Sequence, residues 1–140
     1  MFDKIPTIIS SVNTVIQGAG LVGFTYRTDE LIDFASTDYP VTGIYVVQDK
    51  QKDGLASSGI HERVLSLRIA IYMLATGLSI SSVITPNADL IAKALLNSNN
   101  LNGVVRYMED FTLSFDVVKQ DENYVEGHLD FLLTYVARVR

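Results

Sequence analysis

Gly18-Ala19-Gly20-Leu21-Val22-Gly23 has the G-x-G-x-x-G spacing with which a dinucleotide-binding turn brings its backbone against a pyrophosphate. That chemistry requires a strand before the glycines and, after them, a helix whose free N–H groups face the phosphates. Upstream, however, Ile5, Ile8, Ile9, Val12, Val15 and Ile16 recur at helical spacing, and a buried strand there would place Asn13 and Thr14 in the core. Downstream, "FTYRTDEL" offers no helix to aim at a phosphate, although Asp49 lies about where an acidic ribose ligand would be sought. The motif is therefore read as a helix end followed by an extended connector. Gly18 takes the left-handed position after the helix, and Gly20 and Gly23 turn the chain towards a sheet. No cofactor is expected, and a small nucleotide site at Gly18 to Gly23 is the alternative.

The other reactive side chains form no constellation. His128 and Asp130 share one side of a strand, but a zinc site needs three or four ligands, and His61 is far away in sequence. Ser57, Ser58 and His61 have the residue types of nucleophilic catalysis without the strained strand-to-helix elbow that presents a nucleophile. Asp121, Glu122 and Glu126 read as a solvated hairpin rather than as carboxylates set for acid–base work. Cysteine is absent, which removes thiolate chemistry and disulfides and fits a reducing compartment. The expectation is a protein that is not an enzyme, with no catalytic residue and no metal.

Recognition is the better use of what remains. Arg68 and Tyr72 point the same way from the middle of an apolar strand, and Arg138 and Arg140 end the last one. These side chains lie either on a solvated sheet face or against a neighbouring subunit, where Arg and Tyr are enriched over Lys and Glu. Charged residues make up only 19% of the chain, against about 25% in an ordinary soluble domain, which favours the interface. A second candidate is the polar stretch "DKQKDGLASSG", residues 49–59, longer than a tight turn needs. It reads as a projecting loop in which Asp49, Lys50, Lys52, Asp53, Ser57 and Ser58 meet a partner or line a lumen. The net charge of -5 argues against holding nucleic acid through its phosphates, but not against DNA passing by.

The elements that must position these residues follow from periodicity. A chain of 140 residues makes one domain, residues 1–140. Its first helix has Pro6 in the opening turn. An apolar stretch, Leu21 to Tyr26, leads to "TDELIDFAS", read as one or two helical turns capped by Thr28. A strand of Thr42 to Gln48 follows, entered at Pro40. The segment from Ile60 sets Leu65, Leu67, Ile69, Ile71 and Met73 on one face and Ser66, Arg68, Ala70 and Tyr72 on the other. A second helix opens with Thr85 as cap and Pro86 at its first position, carries Leu90, Ile91, Ala94 and Leu95, and stops at asparagines that tolerate left-handed geometry.

Two more alternating runs complete the chain: Phe111, Leu113, Phe115 and Val117, then Leu129, Phe131, Leu133, Tyr135, Ala137 and Val139, joined through "KQDENYVEG". The expected fold is α+β, in the order helix, strand, long loop, strand, helix, strand, strand. It has a mainly antiparallel four-stranded sheet with helices packed on one face. No apolar run approaches the ~20 residues of a membrane span and no secretory leader is evident, so the chain is read as unsecreted and soluble.

The amphipathic first helix, "YPVTGIYVVQD", the long polar loop, "RVLSLRIAIYM", "ADLIAKALL" ending near "LNGVV", and "LDFLLTYVAR" together resemble the tail terminator proteins of long-tailed bacteriophages, also called tail completion or minor tail proteins. The resemblance runs over nearly the whole chain and rests on element order and length. It implies a structural virion protein forming a hexameric ring that caps the tail tube, ends its polymerisation and presents a surface to the head–tail connector. Its partners would be further copies of the chain, the tail tube protein and a connector or neck protein. DNA would pass through the lumen without specific binding, and no membrane would be involved. The protein would reside in the virion tail or neck, after assembly in the host cytoplasm. Other neck and tail-tube ring proteins share this habit, and a cellular domain that dimerises through its sheet is a further class.

Overall fold

Helical periodicity at the start and middle of the chain and alternation elsewhere build two layers in the computed structural model, which describes residues 2–28, 40–52, 60–74, 79–116 and 124–138. Helix α1 spans Ile5–Gln17 and buries Ile8, Ile9, Val12 and Ile16, with Pro6 in its first turn where a missing N–H costs little. Gly18 closes it at φ -90°, so the expected left-handed cap is absent there. The left-handed residues are Gly20 (φ 90°) and Gly23 (φ 74°), which swing the chain into strand β1, Thr25–Thr28. The order through the glycines is helix, turn, strand, the reverse of what a pyrophosphate cradle requires.

Strand β1 is the fifth strand that the four-stranded expectation lacked. It runs parallel to β2, with Thr25 opposite Val41 and Thr28 opposite Ile44. Four residues give too little alternation to read. Thr28, expected as a helix cap, closes this strand, and the rest of "TDELIDFAS" lies outside the described residues. The remaining strands are β2 (Val41–Gln51), β3 (Ile60–Leu74), β4 (Tyr107–Asp116) and β5 (Tyr124–Arg138). They stand in the order β1-β2-β3-β5-β4, and every pair after the first is antiparallel. The sheet is therefore mixed, with antiparallel pairing dominant.

Strand β2 outruns its expected end at Gln48, so Asp49 and Lys50 are strand residues and not part of a loop. A bulge at Val47 resets the alternation: Val46 stands opposite Leu67, but Gln48 stands opposite Ser66. Lys52 follows directly, its N–H donating to the Glu62 carbonyl at 2.9 Å. Asp53, Ser57, Ser58, Val117, Val139 and Arg140 lie outside the described residues. Strand β5 starts at Tyr124, so the expected bend gives up Tyr124 to Gly127 to the sheet.

Helix α2, Ile80–Leu96, begins five residues before the expected Thr85 cap. Ser79 is the cap, its Oγ accepting from the Ser82 N–H at 3.3 Å, and Pro86 sits inside the helix. An internal proline costs about 3 kcal/mol. The turn ahead of it is held by fully buried Ile84, which packs so closely on β5 that a Cβ on Gly127 would lie 2.4 Å from its Cγ2. With the earlier start the buried stripe becomes Ile84, Ala88, Ile91 and Leu95, and Leu90 is left exposed.

The asparagines do adopt left-handed geometry: α3, Asn99–Gly103, is a single turn with φ between 53° and 85° throughout. Leu101 is held in it although a left-handed non-glycine residue costs roughly 1–2 kcal/mol. Its side chain is buried, and its N–H donates to Ser98 Oγ at 3.1 Å. Both long helices share one core with the odd-numbered faces of β3 and β5, where Leu65 stands opposite Leu133, Leu67 opposite Phe131 and Ile69 opposite Leu129.

Candidate functional site

No described helix covers the other face of the sheet, and here the register brings together the side chains expected to recognise something. Arg68 stands opposite Asp130, and Tyr72 opposite Glu126. Arg68 Nε and Nη2 donate to the two Asp130 oxygens at 2.8 and 3.2 Å, a bidentate pair that remains partly exposed. Tyr72 is only 5% exposed and forms a small second apolar cluster with Val41 and Ala70, against which Tyr45 packs. Burial pushes the Tyr72 phenol far above its ordinary range, and Glu126 and Tyr45 push it further. His128 Nε2 lies 3.0 Å from Glu126 Oε1. The end of this face nearest Tyr72 is thus internally satisfied. Arg138 belongs to β5 at the opposite end, across from Ile60.

Between the ends lies a groove of about 300 Å³ lined by Val47, Ser66, Arg68, Asp110, Asp130 and Leu132. Its cause is the alignment of two bulges. Strand β2 bulges at Val47 and strand β4 between Glu109 and Thr112, and both fall at the level where Ser66 and Leu67 meet Leu132 and Phe131. Bulges in the two strands flanking β3 and β5 bend the sheet across one line. Asp110 adopts φ 58° at its bulge, and Phe111 turns to the core, stacking on Phe131 with centroids 5.0 Å apart. Val47 is left 58% exposed.

Asp49, expected to meet a partner, is turned inward by the bulge. Its carboxylate accepts from Arg63 Nε at 3.1 and 3.3 Å and from the Tyr135 hydroxyl at 2.8 Å, with both side chains of the ion pair 8% exposed. The Phe2 ring lies 4.8 Å from the Arg63 guanidinium. Burial raises the Tyr135 phenol well above its usual value, and the Asp49 carboxylate adds to the shift. On the opposite face, Glu62 accepts from Arg106 and pairs with Lys52 at 3.8 Å, while both cations lie within 6 Å of the half-exposed Tyr107 ring.

Sequence spacing placed Arg68 and Tyr72 on one face, and the register bears that out. It missed Asp130 and Glu126 as their partners, and Arg63 as the partner of Asp49, because cross-strand pairing carries no mark in a single chain. His61 and His128 lie on opposite faces of the sheet, and among the described residues no three metal-ligating side chains come together. No described helix is long and apolar enough to cross a membrane. No protein-family model matches the chain, and a search of curated proteins finds no match.

Proposed function

We propose that this chain is a structural protein of a long-tailed bacteriophage that forms a hexameric ring on the tail tube, ends its polymerisation and joins it to the head–tail connector. The observation that carries this reading is the asymmetry of the sheet. One face is sealed by α1 and α2, and the other keeps an exposed groove beside an ordered Arg68–Asp130 pair. Exposed Val47 beside this groove, on a face that no described helix covers, suits a surface that meets protein rather than water. The resemblance in element order points the same way. In this reading subunits contact one another laterally, the ring's two rims meet tube and connector, and DNA passes through an unselective lumen.

Light scattering on the purified chain, with electron microscopy of tail tubes mixed with it, tests the proposal. Closed rings, free or seated at tube ends, and tubes that stop growing when it is added are the expected results. Rings that join the connector but ignore tube ends would assign the chain to another place in the neck. A stable dimer that binds a nucleotide tightly would overturn the reading.

A further inference from the structure

We propose that the ring contact is made edge to edge, the Tyr107–Asp110 part of β4 in one copy lying against the Val46–Lys50 part of β2 in the next. This rests on the ring reading and names the surfaces that would close it. Strand β1 covers β2 only from Val41 to Ile44, and among the described residues no strand lies beyond Val46 to Lys50. Val47, Gln48 and Lys50 are exposed there. Among the described residues strand β4 pairs with β5 alone, and Tyr107, Glu109, Asp110 and Thr112 are exposed along it. An uncovered strand edge is a template for another strand.

Charge selects which edge meets which. Within the sheet's described side chains, Asp49 pairs with Arg63, Arg68 with Asp130 and Glu62 with Arg106, the Glu126 carboxylate is hydrogen-bonded to His128, and Arg27 is also engaged. Lys50, Glu109 and Asp110 remain without an ionic partner among the described residues. The base stands on one open edge and both acids on the other. Pairing β4 with a second β4 would set acid against acid, which is destabilising on adjacent strands. The complementary edges favour a heterologous contact, the kind that closes into a ring.

The geometry agrees in three respects. Lys50 lies opposite Val64 and Glu109 opposite Leu132, so both side chains project from the helix-free face. The rung through Lys50, Val64, Thr134 and Tyr107 is next to the rung through Gln48, Ser66, Leu132 and Glu109. Extending the sheet without axial shift therefore sets Glu109 diagonal to a neighbour's Lys50, roughly 7–8 Å away and within reach of long side chains. Strands β2 and β4 also run in opposite directions, so subunits in the same orientation continue the antiparallel alternation. The bulges at Val47 and Asp110 then confine the pairing to a short stretch and guard both edges against indiscriminate addition.

Charge exchange tests the contact. One variant carries Glu109→Lys with Asp110→Asn, asparagine being at ease at positive φ; a second carries Lys50→Glu; a third carries all three changes. Circular dichroism checks that each is folded, and light scattering with electron microscopy reads assembly. The expected result is at least tenfold weaker ring formation by either of the first two alone, recovery when they are mixed in alternation, and recovery by the third alone. Wild-type rings that persist in both of the first two variants, or variants that dissociate and fail to recover on mixing, overturn the edge contact while the ring reading stands. A wild-type chain that forms no closed ring, free or on tubes, overturns the ring reading itself. A dimer broken by the β4 variant but not by Lys50→Glu overturns the proposal in favour of β4 self-pairing.

Discussion

Asp49→Ala separates a strand residue from a loop residue at the point where the two accounts of this chain diverge. As a loop residue, Asp49 would be dispensable for folding, and its replacement would change stability by no more than about 0.5 kcal/mol. In the structure its carboxylate takes two contacts from Arg63 Nε and one from the Tyr135 hydroxyl, inside a region where the ion pair's side chains are 8% exposed and Tyr135 is fully buried. Removing it leaves a guanidinium buried without its carboxylate, a change that typically costs about 3–5 kcal/mol. The Tyr135 hydroxyl loses its acceptor as well, but the two losses share one carboxylate and do not simply add.

Asp49→Asn keeps an acceptor while removing the charge, so it should cost less than the alanine. Urea unfolding followed by circular dichroism gives the values. The triple replacement Asp49→Leu, Arg63→Met, Tyr135→Phe should regain much of the loss, because it removes the carboxylate, the guanidinium and the phenol together instead of leaving one buried without the others. An alanine variant within about 0.5 kcal/mol of the parent would show that the cluster is solvated and the reasoning wrong.

Two other perturbations read different parts of the fold. Gly127→Ala forces a Cβ to within 2.4 Å of Ile84 Cγ2, an overpacking expected to cost about 1–3 kcal/mol. Ile84→Ala should relieve part of that cost in a double-mutant cycle, and strict additivity would deny the close approach of α2 to β5. Because burial raises the phenols of Tyr72 and Tyr135, the folded chain holds those protons more tightly than the unfolded chain does. The stability they contribute is full below about pH 10 and declines above it by up to about 1.4 kcal/mol per pH unit for each tyrosine. Replacing either by phenylalanine should flatten the alkaline limb of a stability–pH profile, and an unaltered limb would place that phenol in solvent.

What was legible in the sequence followed from periodicity within one segment. The stripe of Ile8, Ile9, Val12 and Ile16 and the alternation from Leu65 to Ile71 need only local spacing, and the structure keeps both. Proline and glycine rules were weaker guides. Pro86 suits a first turn, yet the burial of Ile84 ahead of it extends α2 upstream, so packing outweighed the local preference. Strand β1 was invisible because its hydrogen bonds to β2 come from pairing, which four residues cannot announce. The bulge in β2 did leave a trace: Val46 and Val47 are adjacent apolar residues, a break of phase that carries Asp49 to the core side instead of ending the strand.

The same distinction moves the candidate contact surface. Arg68 and Tyr72 drew attention as polar residues in an apolar strand, but their cross-strand neighbours answer most of that demand: Asp130 holds Arg68, and burial among Val41 and Ala70 accounts for Tyr72. A residue already satisfied inside its own subunit gains little by meeting another. Lys50 drew attention only as one residue of a polar run expected to meet a partner, and Glu109 and Asp110, in "YMEDF", drew none; all three become informative when the other charges among the sheet's described side chains are seen to have partners. Unmatched charges of opposite sign on the two open edges of one sheet are what a lateral contact between like subunits requires. If that contact forms, the Arg68–Asp130 pair serves to hold the groove's shape between the edges, and Arg68→Met with Asp130→Leu should leave assembly largely intact.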